Sequence, residues 1–98
     1  MNLYVIRRAN GWVTGEQLQA AAGRSTEVGD EEMSSDIRWI RSYVVQEEDG
    51  TLGTICIYEA SSPEKIREHA ERADLPATTI LPVVDTVLVR PDPVSAPA

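Results

Sequence analysis

The sequence predicts an α+β ferredoxin-like fold in the order β-α-β-β-α-β. Three observations carry this. Two amphipathic helical stretches separate β-rich runs, Asp49-Gly50 joins two adjacent strands as a hairpin, and Pro82 marks the last strand as an edge. The expected architecture is a four-stranded antiparallel sheet with both helices on one face. Its 98 residues make one domain, and 42% hydrophobic content is enough for a packed core.

Leu3 to Arg8 reads as the first strand, ended by the turn pair Asn10-Gly11. Thr14 with Gln17 three residues on is a capping arrangement that opens the first helix. Leu18, Ala21, Ala22, Ser25 and Val28 fall on one helical face, and Gly29 is the expected stop. Asp30 to Asp36 reads as an acidic connector. Ile37 to Glu47 and Thr51 to Ala60 alternate like strands on either side of the turn. A two-residue turn sets Tyr43 opposite Cys56, Arg41 opposite Tyr58 and Val44 opposite Ile55. A three-residue loop with a bulge is the alternative, and it shifts that register. Ser61-Ser62-Pro63-Glu64 starts the second helix, whose buried stripe is Ile66, Ala70 and Ala73. Thr78 to Val89 is the expected last strand. Residues 1–90 form the domain, and the Pro-rich tail 91–98 is expected to be disordered.

The two-residue register sorts the hairpin into two faces. Ile40, Val44, Ile55 and Ile57 make an aliphatic face toward the helices. Trp39, Arg41, Tyr43, Cys56 and Tyr58 fall on the open face. An open face of this kind is covered by a partner or used for binding, so a homodimer of the dimeric α/β-barrel type is expected, with a lined cavity between the sheets.

Nine Lys+Arg against sixteen Asp+Glu give a net charge of −7, which argues against nucleic acid and anionic membrane as partners. The single cysteine, Cys56, allows no intrachain disulfide and fits a reducing compartment. With no signal-like leader or apolar span, a cytoplasmic protein is expected.

Three segments together resemble a known family: Arg38 to Val44, Ile55 to Ala60, and Ile66 to Ala77. It is the family of small bacterial ferredoxin-like nickel-binding or nickel-responsive proteins. The resemblance implies a dimeric domain and a bound nickel or other divalent transition metal.

Two sets of side chains are candidates for function. Arg41, Tyr43, Tyr58 and Trp39 make an aromatic cup around a guanidinium, which suits a small anionic molecule. His69, Cys56 and Glu59 are the candidate metal ligands, with Glu68 a further carboxylate. A non-enzymatic homodimeric protein binding a small ligand or metal is the leading expectation. The alternatives are a cofactor-independent enzyme of the monooxygenase or isomerase type, with His69 as acid/base and Arg41 stabilising an oxyanion, and a ligand-free interaction module.

Overall fold

The computed structural model describes residues 1–93. Strand β1 (Asn2–Trp12), helix α1 (Gly15–Glu27), β2 (Ile37–Gln46), β3 (Leu52–Ala60), α2 (Pro63–Ala73) and β4 (Thr79–Pro82) follow in order. All strand pairs are antiparallel, and the sheet order is β2-β3-β1-β4. Both helices pack on one face, so the fold is the α+β ferredoxin-like one. Pro82 lies in the edge strand β4, where its missing N–H is tolerated.

Each helix begins as its sequence dictates. Thr14 accepts a hydrogen bond from the Gln17 amide at 3.2 Å, and Gln17 Oε1 accepts one in return from the Val13 amide at 2.9 Å. Ser62 caps α2 by accepting from the Lys65 amide, with Pro63 at the first helical position. The inward stripe of α2 is Ile66, His69, Ala70 and Ala73, all buried. These meet Tyr4, Ile6, Ile37, Cys56, Tyr58 and Ala60 from the sheet, with Val28 and Met33 closing the core.

The structure departs from the sequence expectation at five places. Asn10-Gly11 does not end β1; it is an irregularity within it, with Asn10 at φ 51°, and Trp12 pairs again with Leu52. Gly29 does not stop α1, because a π-helical turn continues over Val28–Glu32 and takes up part of the expected connector. The stretch after Pro82 is not strand; only Val83 continues, its amide donating to the Leu3 carbonyl at 2.9 Å.

The fourth departure is the hairpin register. The loop has three residues, closed by Glu47 N–H to Thr51 carbonyl (2.8 Å) and Gly50 N–H to Glu47 carbonyl (3.0 Å), with Gly50 at φ 88°. Positive φ at Gly50 makes the bulged loop accessible at little steric cost. Tyr43 therefore faces Ile55 and Ser42 faces Cys56. A second bulge at Ile40 turns Trp39 to the helix side, where it pairs with Tyr58, while Arg41 stays on the open face opposite Ile57.

The fifth is the sorting of faces. Thr54, Cys56 and Tyr58 point toward the helices and are buried, together with Tyr4, Ile6 and Arg8 of β1. Val5, Ile55, Ile57 and Leu81 take the open face with Arg41 and Tyr43. The sequence predicts purely aliphatic residues inward, but the rings, the thiol and a guanidinium face α1.

From the expected tail, Asp92 is described, and residues 94–98 lie outside the described residues. Asp92 accepts from Tyr43 Oη at 2.7 Å and pairs with Arg41 at 3.1 Å, so the chain beyond β4 reaches the β2 side of the sheet.

Candidate functional site

A cavity of about 210 Å³ lies between α1 and the helix-covered face of the sheet. Leu18, Ala21, Ala22 and Ser25 form its helical wall. This explains why Leu18 and Ala22 are only half-buried although they share the stripe of Ala21 and Ser25. Trp39, Val44, Cys56 and Tyr58 form the sheet wall, and Trp12 and Leu75 stand at its margin. An engineered apolar cavity of about 150 Å³ admits benzene, so this one holds a single ring with a small substituent.

The alternation of β1 places Arg8 in line with Tyr4 and Ile6, so its guanidinium is carried inward and is 2% exposed. Nη1 donates to the Pro76 carbonyl at 2.6 Å. The cation sits 5.7 Å from the centroid of the Tyr58 ring. Among the described residues Nη2 is buried without a hydrogen-bond partner and no carboxylate lies within ion-pair distance of Arg8. A buried cation without a counter-charge is costly, and here only a carbonyl and a ring face compensate it.

Tyr58 is the hub of the site. Its ring stacks on Trp39, with centroids 5.9 Å apart and planes 8° from parallel. Its hydroxyl bonds Ser25 Oγ at 2.8 Å, tying the sheet to α1. Burial pushes the Tyr58 phenol above its ordinary pKa, and nearby Arg8 opposes that shift. Trp39 is itself fixed by an indole N–H bond to Ser42 Oγ at 2.8 Å.

The expected ligand cup is thus divided. Tyr58 and Trp39 line the cavity, whereas Arg41 and Tyr43 lie on the opposite side of the sheet with Asp92. The guanidinium in the aromatic setting is Arg8. It was missed because its place on the strand's inward alternation was outweighed by the rule that Arg faces water; the alternation Tyr4, Ile6, Arg8 was the available signal.

The metal set is divided as well. His69 is fully buried, and its ring packs at 5.4 Å from Tyr58. Nε2 lies 3.1 Å from the Ser25 carbonyl, to which it donates as N–H, while Nδ1 has no partner among the described residues. Burial lowers the His69 pKa; the Ser25 carbonyl bond opposes this and the charge of Arg8 adds to it. Cys56 shares the helix side, against the opposite placement expected, and its thiol donates to Thr54 Oγ1 at 3.2 Å. Glu59 is on the open side, paired with Arg38 at 3.5 Å. Glu68 is bound to Arg72 at 2.6 Å and Lys65 at 3.5 Å. Among the described residues no three His, Cys, Asp or Glu side chains cluster closely enough to hold a metal ion. The residues present therefore do not fit a metal centre within one chain. His69 and Arg41 are also on opposite sides of the sheet, so the expected acid/base pair with an oxyanion stabiliser does not assemble.

Fold and cavity together define an α+β ferredoxin-like domain with a partly open pocket of single-ring size under its first helix. Residues 4–83 match the family described as nickel responsive protein SCO4226-like, and the chain belongs to that family. The crystal structure of SCO4226 from Streptomyces coelicolor A3(2) has the same fold, with a TM-score of 0.67 and 20% sequence identity over 87% of this chain and 99% of that one. A comparison with curated proteins finds no match. Among the described residues no helix is long and apolar enough to cross a membrane.

Proposed function

We propose that this chain is a small-molecule-binding protein that acts as a homodimer and holds its ligand in the cavity under α1. The observation that carries this reading is Arg8: a buried guanidinium, one nitrogen of which has no partner among the described residues, on the wall of a cavity whose accessible lining is mostly apolar. Pockets built to bind combine this kind of apolar lining with a few placed polar groups. Val5, Ile55, Ile57 and Leu81 on the open face support a homodimer, because such a face is stabilised by a second sheet.

The test is a thermal-shift and NMR titration with compact aromatic and aliphatic compounds, on wild type and on Ala22→Phe, which fills the cavity. Binding compounds should raise the wild-type melting temperature saturably and leave the filled variant unmoved. Equal binding by the filled variant, or no binding by wild type, refutes the reading.

A second reading, a site for nickel or another divalent transition metal, is favoured by the family's description and by the shared side of His69 and Cys56. It needs donors other than Glu59, which lies on the opposite side of the sheet. Nickel titration of tag-free protein decides it: a saturable shift abolished by His69→Ala supports a metal site there, and a flat response excludes it.

A further inference from the structure

Resting on the pocket reading, we infer that the ligand is a compact monocarboxylate: an organic acid with a body of about one ring, its carboxylate on the Arg8 guanidinium.

The argument starts from charge. Arg8 brings a permanent positive charge into the cavity wall, since guanidinium does not deprotonate in proteins. Its chain-supplied partners are the Pro76 carbonyl and the Tyr58 ring face, neither of them charged. Among the described residues Nη2 has no acceptor, and it has no accessible surface, so a carboxylate pairs with it only when the Arg8 side chain turns toward the cavity it lines. A carboxylate supplies both the missing charge and the missing acceptor, and it matches the planar guanidinium fork. A second anionic group on the ligand is not required, because among the described residues Arg8 is the only basic side chain lining the cavity.

Size and lining fix the rest of the ligand. A volume of about 210 Å³ seats a body of about one ring. Trp39, stacked on Tyr58, offers a flat apolar surface, and Leu18, Ala22 and Val44 complete an apolar chamber. A phosphate or sulfate alone would fill the anion position and leave this chamber empty. The body of the ligand therefore carries the apolar contact, and a single carboxylate carries the orientation.

The test uses benzoate with its neutral analogue benzamide, and cyclohexanecarboxylate as a non-aromatic acid, titrated into the full chain by calorimetry and NMR. Wild type should bind both acids saturably and benzamide far more weakly. Truncating one member of a desolvated charge pair weakens binding by about 30-fold or more, and this is the loss expected of Arg8→Met. Arg8→Lys keeps the charge without the fork and should fall between the two. Arg41→Ala, on the far side of the sheet, should leave benzoate affinity unchanged. Benzamide binding as tightly as benzoate, with both lost in Ala22→Phe, overturns the carboxylate assignment and leaves the pocket standing. Failure of all three probes on wild type overturns both. Benzoate binding lost in Arg41→Ala and retained in Arg8→Met moves the acid site to the open face and also refutes the inference. If Arg8→Met does not fold, the Arg8→Lys affinity and the ¹⁵N shifts of the Arg8 guanidinium on adding benzoate decide the matter; unmoved shifts at saturation refute it.

Discussion

Replacing Arg8 by Met should leave the unliganded fold about as stable as wild type, although the residue is 2% exposed. The estimate follows from what the guanidinium touches. Its bond to the Pro76 carbonyl at 2.6 Å is charge-assisted and worth about 1.5–3 kcal/mol. The approach to the Tyr58 ring at 5.7 Å adds about 0.5–2 kcal/mol. Against these stands the burial of an unpaired ion, which costs several kcal/mol even after relaxation. Met retains much of the apolar stem and removes the ion, leaving the Pro76 carbonyl to find another donor or water. The opposing contributions are of similar size, so the net change should lie within about 2 kcal/mol of zero. Urea unfolding followed by circular dichroism measures it, with Ile6→Ala on the same strand as reference. That fully buried residue should cost about 2–5 kcal/mol. A loss above about 4 kcal/mol in Arg8→Met would show that the guanidinium is a structural brace, and the argument for an absent counter-charge would fall.

Other expectations concern pH, packing and assembly. Burial holds the His69 pKa below its ordinary 6.5, so the folded chain resists the proton that the unfolded chain accepts. Stability should be fully present above about pH 6.5 and decline below it, with a slope of at most about 1.4 kcal/mol per pH unit; His69→Gln should flatten that slope in urea titrations. Glu47 is held below its ordinary carboxylate pKa by Arg7 and then by the Asn10 amide, so a further loss of stability is expected as pH falls below about 4.5, and Glu47→Gln should remove it. A Cβ at Gly53 would meet the Arg8 carbonyl at 2.8 Å as well as the Arg7–Glu47 ion pair, so Gly53→Ala should destabilise by about 1–3 kcal/mol in the same unfolding assay. Ile57→Asp on the open face should shift sedimentation from dimer to monomer while retaining the circular dichroism of the fold; an unchanged sedimentation coefficient places the dimer contact elsewhere or removes it.

Much of the fold was legible because local signals agreed with the global plan. Thr14, Ser62 and Pro63 start helices for backbone reasons that tertiary packing does not alter. Pro82 assigned the edge strand by its missing donor. The hairpin register was less accessible, since Asp49-Gly50 serves a two-residue turn and a bulged three-residue loop alike. That ambiguity, with a second bulge at Ile40, moved Arg41 and Tyr43 away from Trp39 and Tyr58. The inward face was misjudged for a different reason. Aliphatic residues suit both a helix-covered interior and a sheet face awaiting a partner, so hydrophobicity alone does not tell them apart. The cavity was not legible at all, because it exists only where Ala21 and Ala22 of α1 leave room above the Trp39–Tyr58 stack.

A crystal structure of the protein soaked with benzoate tests the central claim most directly. The account predicts ligand density under α1, with a carboxylate oxygen within hydrogen-bonding distance of the Arg8 guanidinium and the ring against Trp39. Density at Arg41 and Tyr43 with the cavity under α1 vacant would contradict it.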